Sequence, residues 1–388
     1  MTDDKQSLNR GRAVRIAIQI IGFVAGIAAI GWCLKTALKQ ENREQFAKLA
    51  DAPAELIALM LGLSLLTLAL NGVAFWIAIR PVKRIPLPDV LATNGLCTFL
   101  GYLPFKAGAI VRFAIHNRRD KVPVATIGAW FGSLAVVMLL SFAVMTGAAI
   151  GRGRIDPIWF ALAVGLALAG GGVLIAVARA FRGEPGLQRL ERLVGLTRIA
   201  ALKRPLRWNV WLQLHAGFDM LASPGAVLGG MANRMLDSAV QAARFVVAAK
   251  ILRLTGFPIE DFTLQQALMV SLMYFIVGVV SPSGLAGLRE GAVGAWAAPL
   301  LAMAGMHSAD DERTFIALGL LVSATEFFAF VLGAGLGLAW LRPDRLLKLR
   351  AAVGGGGGSG GTGGVEGRGG GGENHRGAEA QTGESGGP

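Results

Sequence analysis

Long uncharged stretches dominate the pattern of hydrophobic and polar positions. Residues 16–34, 56–79, 124–150 and 157–178 carry no charged side chain, and 313–341 carries only Arg313 at its start and Glu326. About 20 apolar residues suffice to cross a bilayer as a helix. Backbone groups in lipid must be satisfied within their own segment, so these stretches predict membrane-spanning helices. Two further spans are expected over 209–231 and 233–255, which are less apolar and need neighbouring helices to shield them from lipid. One more is expected over 291–305. The predicted fold is an all-α integral membrane protein, a polytopic helical bundle of about eight spans.

Two apolar stretches do not fit simple crossing. Residues 87–105 contain Asn94, Gly95, Gly101 and Pro104, and a basic run follows with Lys106, Arg112, His116, Arg118, Arg119 and Lys121. A full crossing would put that run outside, against the tendency of Lys and Arg to remain on the cytoplasmic side. A re-entrant element resolves the conflict. Residues 263–288 repeat the pattern, broken at Ser281, Pro282, Ser283 and Gly284 and ending at Arg289 and Glu290. Broken backbone at membrane depth is tolerated where it is buried in protein or lines a cavity.

Composition and charge sharpen this picture. The 388-residue chain is 53% hydrophobic and 16% charged, with a formal net charge of +13. The basic residues lie between the apolar runs: Lys5, Arg10, Arg12 and Arg15 before the first, Arg80, Lys83 and Arg84 after the second, and Arg342, Arg345, Lys348 and Arg350 after the last. This placement predicts a multi-pass protein of the cytoplasmic membrane with both termini inside. It assigns the excess charge to topology and anionic head groups, with no role in nucleic-acid binding. Residues 1–15 form a cytoplasmic basic N-terminus and 16–341 the membrane domain. Residues 342–388 read as a basic end followed by a disordered, glycine-rich tail. The first span reads as an uncleaved signal anchor, since no small-residue cleavage site follows it. Residues 179–208 place leucines at helical spacing among eight Lys or Arg, the mark of an amphipathic helix on the membrane surface or a solvated helix packed on the protein.

Catalytic signatures are missing. The chain has no H-E-x-x-H, G-x-S-x-G or C-x-x-C motif, and its two cysteines, Cys33 and Cys97, lack metal-ligand spacing. No metal and no cofactor is expected, and an enzymatic role is not indicated. What stands out is the pair of breaks. Each joins a proline, small residues and a cation: Pro104, Lys106, Gly108 and Arg112 in the first, Pro282, Gly284, Gly287 and Arg289 in the second. Interrupted helices at corresponding places in two halves point to a transport site. Freed amides beside a cation suit an anion such as a lipid phosphate; snorkelling of Lys106 and Arg112 to water is the structural alternative. Lys106, Arg112, Arg289 and Glu290 are therefore the candidate head-group residues. Asn94, Pro104, Gly108, Pro282, Gly284 and Gly287 would shape the hairpins. Asp219, Asp237, Arg244 and Glu326 are intramembrane charges and candidates for function or for structural ion pairing. Arg234 and Asp237, three apart, suit an intrahelical pair. Gly333 and Gly337 give the spacing of close helix contact.

The two breaks also resemble a known family. Residues 94–112, NGLCTFLGYLPFKAGAIVR, and 281–291, SPSGLAGLREG, are similar to the two short motifs of the flippase-like family built on the transmembrane region of lysylphosphatidylglycerol synthase. The resemblance spans roughly 13–341. Ala109 stands where that family commonly has an acidic residue, Ser283 replaces a glycine, and Arg289 precedes the glutamate. The resemblance implies a role at membrane lipids without lysyl transfer, because no transferase domain follows. The expectation is a flippase or lipid transporter for an anionic or carrier phospholipid, with Glu290 orienting Arg289 or sensing a coupled proton. A lipid-carrier-modifying enzyme, and a non-transporting partner subunit of a lipid- or envelope-synthesis enzyme, are the alternatives.

Overall fold

The computed structural model describes residues 52–102, 107–196, 209–256, 259, 262–280, 288–303 and 312–341. The expected first span (16–34), the basic termini, and Pro104, Lys106, Pro282, Gly284 and Gly287 lie outside them. Among the described residues the chain is all-helical. Eleven α-helices follow in order: α1 Ala54–Ile79, α2 Leu87–Phe99, α3 Ala107–Arg118, α4 Val124–Arg152, α5 Pro157–Ala180, α6 Gly183–Leu196, α7 Asn209–Leu221, α8 Pro224–Leu254, α9 Leu264–Val280, α10 Leu288–Met303 and α11 Glu312–Leu341. A short 3-10 turn, Leu100–Tyr102, extends α2.

Four helices, α1, α4, α5 and α11, are long and apolar enough to cross a membrane. Their outward faces remain apolar: Phe160, Leu168 and Val173 on α5 and Phe328 and Leu336 on α11 are all more than half exposed. A contiguous exposed apolar surface of this kind marks contact with lipid. The protein is thus a multi-pass membrane bundle.

Local chemistry explains the element boundaries. Asp156 caps α5, accepting from the backbone N–H of Trp159 at 2.8 Å, and Pro157 occupies the first helical position, where no donor is lost. Ser223 and Pro224 start α8 in the same way. This start corrects the expectation for 209–255. The break falls at 222–223, not at 232, and the two pieces are unequal: α7 has 13 residues and α8 has 31. At 1.5 Å per residue, α7 is too short to cross alone.

Each interrupted stretch supplies one short helix, α2 in the first and α9 in the second. The next short helix packs on each: α3 on α2, and α10, which covers the expected span from 291, on α9. Helix α8 sits among α1, α4, α5, α9 and α11 and is the centre of the bundle. It places Arg234, Asp237, Gln241 and Arg244 at intervals of three and four residues, one polar stripe that faces protein instead of lipid.

The expected close helix contact is made by α11 and α2. A Cβ at Gly95 would lie 2.5 Å from the carbonyl oxygen of Gly333, and one at Gly337 would lie 2.4 Å from that of Ala92. Both obstacles are backbone, which cannot swing away. Gly95→Val is expected to lower the thermal unfolding midpoint in detergent, with an overpacking cost of about 1–3 kcal/mol. Gly62→Ala, where nothing lies within 4 Å, is expected to leave it unchanged or raise it. Equal midpoints for the two variants would overturn the account of this interface.

Candidate functional site

The polar stripe of α8 opens onto a cavity of about 450 Å³ walled by α1, α2, α3, α4, α8, α9, α10 and α11. That volume lies in the ordinary range for ligand pockets. Its walls are largely apolar, with Leu68, Phe75, Leu134, Met138, Phe275 and Phe330 among them. Into this setting the fold brings three guanidinium groups, Arg112, Arg234 and Arg289, and two carboxylates, Asp237 and Glu326. The lining contains residues from both interrupted stretches, so the two motifs separated in sequence meet at one site.

The charges are held in different ways. Arg234 Nη1 donates to Asp237 Oδ2 at 2.5 Å, and its Nη2 donates to Asn71 at 3.3 Å. Gln241 also donates to Asp237 Oδ2, at 3.3 Å. Glu326 takes Arg289 Nη1 at 3.1 Å and faces Arg244 Nη1 at 3.9 Å. Arg244 donates as well to the carbonyl of Val322 at 3.0 Å. Tyr274 donates to Glu326 Oε2 at 2.9 Å and places its ring under the Arg289 guanidinium, 4.5 Å from the centroid. Arg289 Nη2 further donates to the hydroxyl of Tyr102 at 3.3 Å.

Arg112 differs. Only 4% of it is exposed, yet no carboxylate lies within ion-pair distance among the described residues. Its Nη2 donates to the neutral Oδ1 of Asn94 at 2.6 Å, and its guanidinium lies 3.9 Å from the centroid of the Phe75 ring. Its Nη1 is buried without a hydrogen-bond partner among the described residues. Asp237 Oδ1 is likewise buried without one. Asn94 is itself fixed by donating to the carbonyl of Leu68 at 2.9 Å and accepting from Asn71 at 3.1 Å. One network therefore runs from Arg112 through Asn94 and Asn71 to Arg234 and Asp237.

The sequence-predicted residues sort clearly. Arg112 and Arg289 line the cavity. Asn94 orients Arg112, so the two ends of the first motif close on each other. Gly108 lies against the backbone of Cys97, where a Cβ would meet the carbonyl oxygen at 2.0 Å. Glu290 is buried behind the cavity wall, in contact with Ser323. Asp237, Arg244 and Glu326 join the charged cluster. Asp219 does not; it pairs with Arg182 at 2.7 Å and is about a third exposed. Asn71, Tyr102, Gln241, Tyr274 and Ser323 were not singled out from the sequence. Their signal is the polar residue inside an apolar run, and for Gln241 its place on the α8 stripe. Among the described residues no cluster of potential metal ligands occurs. No family model, curated protein or solved structure matches the sequence.

Removing the carboxylate of Glu326 while keeping its shape leaves Arg244 and Arg289 facing each other without a counter-charge. Glu326→Gln is expected to destabilise the folded protein by about 3–5 kcal/mol. Asp219→Asn, at an exposed pair, is expected to cost under about 1 kcal/mol. Thermal unfolding of the two variants in detergent tests this; an Asp219→Asn effect as large as that of Glu326→Gln would refute the assigned roles.

Proposed function

We propose that the protein is a flippase-like lipid transporter of the cytoplasmic membrane, handling the head group of an anionic or carrier phospholipid. Arg112 is the observation that carries this reading. A buried guanidinium without a carboxylate partner is costly in a low-dielectric interior. The cost is offset when a ligand brings the opposite charge, and a phosphate offers the planar acceptor pair that a guanidinium fork matches. Arg289, on the second interrupted stretch, completes a two-sided grip. It is partly committed to Glu326, so its hold on a ligand is adjustable where that of Arg112 is permanent.

The apolar share of the cavity wall supports a lipid over a free anion, because the first carbons of the chains need apolar neighbours while the rest stays in the bilayer. The likeness of residues 94–112 and 281–291 to the lysylphosphatidylglycerol synthase membrane region points the same way. On this reading α2–α3 and the segment through α9 are re-entrant elements of the bundle. Helix α6 then lies on the cytoplasmic leaflet. Membrane lipids are the partners, together with a lipid-modifying or envelope-synthesis enzyme that supplies or consumes them.

The test is lipid movement in proteoliposomes of phosphatidylcholine carrying a trace of labelled phosphatidylglycerol. Wild type is expected to accelerate exchange between leaflets, and Arg112→Ala and Arg289→Ala to slow it at least about tenfold, the loss of one charge-assisted interaction. Monodisperse Arg112→Ala protein that moves lipid as fast as wild type would overturn the reading. A well-folded wild type that moves neither this lipid nor an isoprenoid phosphate would favour a partner-subunit role instead.

A further inference from the structure

The part of the cavity wall built by α1 and α8 holds two buried oxygens that phosphate binding at Arg112 does not use. Asp237 Oδ1 and Thr67 Oγ1 both lack a hydrogen-bond partner among the described residues. Asp237 is fully buried and Thr67 is 7% exposed, and both residues line the cavity. Most buried side-chain polar atoms are hydrogen-bonded, so an unpaired one calls for a physical reason.

Helix packing brings the two to one level. A Cβ at Gly229 would lie 3.8 Å from Ile77 Cγ2, Asn233 donates to the carbonyl of Leu70 at 2.9 Å, and Arg234 donates to Asn71 at 3.3 Å. Numbers rise along α8 as they fall along α1, so the helices run antiparallel. From the Arg234–Asn71 contact, one turn forward on α8 is Asp237 and one turn back on α1 is Thr67. A carboxylate paired with Arg234 only accepts, whereas the threonine hydroxyl both donates and accepts. A ligand hydroxyl satisfies both, donating to Asp237 and accepting from Thr67. An ammonium accepts nothing, and it brings positive charge to a cavity already lined by three guanidiniums and two carboxylates.

We propose that Thr67 and Asp237 form a hydroxyl-recognising subsite, so that the cavity takes a phosphodiester head group bearing a free hydroxyl, as in glycerol or a sugar, with its phosphate at Arg112. The proposal rests on the anionic head-group reading and narrows it to one class of head group. Asp237 Oδ2 stays with Arg234 and Gln241 while Oδ1 takes the ligand, so no ion pair is broken. The chain of contacts from Arg112 through Asn94, Asn71 and Arg234 to Asp237 ties the phosphate end of the site to the hydroxyl end. A head group without a hydroxyl leaves both oxygens unpaired in the filled site, and sites built to bond a ligand hydroxyl reject analogues that lack it for that reason.

Two short-chain probes of equal charge test this on the full chain: dihexanoylphosphatidylglycerol, which has hydroxyls, and dihexanoylphosphatidylethanol, which has none. Binding is read from the rise of the unfolding midpoint with probe concentration, in a detergent without sugar head groups. Wild type is expected to bind the glycerol probe at least about tenfold more tightly. Thr67→Val keeps the volume and every charge and should bring the ratio close to one, whereas Thr67→Ser should keep it high. Asp237→Asn should also lower the ratio; it strands Arg234, so the valine variant decides if that protein fails to fold. Equal binding of the two probes by wild type overturns the subsite and leaves the anionic reading standing. A ratio unchanged by Thr67→Val, or tighter binding of dihexanoylphosphatidylethanolamine than of the glycerol probe, also overturns it. Binding of neither probe overturns the subsite and the anionic reading together. The expected discrimination without movement of phosphatidylglycerol in vesicles upholds the subsite and overturns transport alone.

Discussion

Ionised side chains inside a membrane bundle need a counter-charge or a full set of hydrogen bonds, and the arrangement of this protein follows from that need. An uncompensated charge at mid-bilayer costs at least about 2.5–3.5 kcal/mol on insertion scales. Helix α8 brings two arginines, an aspartate and a glutamine on one face. Such a helix cannot turn that face to lipid. It must be ringed by helices that offer acceptors, which is the position it occupies among α1, α4, α9 and α11. Helix α5 carries no buried charge and is left at the periphery with its apolar side chains outward.

Bringing carboxylates and guanidiniums to within 4 Å requires backbones to approach closely, and small residues are what allow it. Gly95, Gly333 and Gly337 let α11 lie against α2, beside the Asn94 that holds Arg112. Gly278 gives α9 room for the side chain of Arg289, whose Cδ would lie 2.8 Å from a Cβ there. Gly319 gives α11 room for the backbone of Glu290 at 3.2 Å. The glycines frequent in these apolar runs therefore set the distances of the charged cluster, and the charges in turn fix which glycine faces must meet.

Length and lack of charge made the long helices legible. The apolar runs expected at 56–79, 124–150, 157–178 and 313–341 correspond to α1, α4, α5 and α11 with ends within about two residues, the usual scatter for helix boundaries. The Arg234–Asp237 pair was legible for a similar reason, since spacing alone puts both groups on one helical face. The break before α8 was misplaced because hydropathy changes little there, and the deciding signal was the Ser223–Pro224 start, a local cap instead of a compositional shift. Within the site, Arg112 and Arg289 were legible as cations next to helix breaks. Asn71, Tyr274 and Ser323 were not, because one polar residue in an apolar run looks the same whether it bonds its own helix or another. Ser64 and Ser141 satisfy themselves on the preceding turn at 2.8 Å, whereas Ser323 joins a network across three helices, and only packing separates the two cases.

Charge compensation in the cluster is uneven, and the proposed head-group reading depends on that unevenness. Four guanidiniums, Arg112, Arg234, Arg244 and Arg289, and three carboxylates, Asp237, Glu290 and Glu326, are buried in the bundle. Asp237 is tied to Arg234, and Glu326 to Arg289 and Arg244. Arg112 is held instead by the neutral Asn94 and the face of Phe75. An anion entering the proposed site would therefore meet its least compensated partner at Arg112, whereas its pull on Arg289 competes with Glu326. That asymmetry is why the proposed reading makes Arg112 the anchor and Arg289 the adjustable contact.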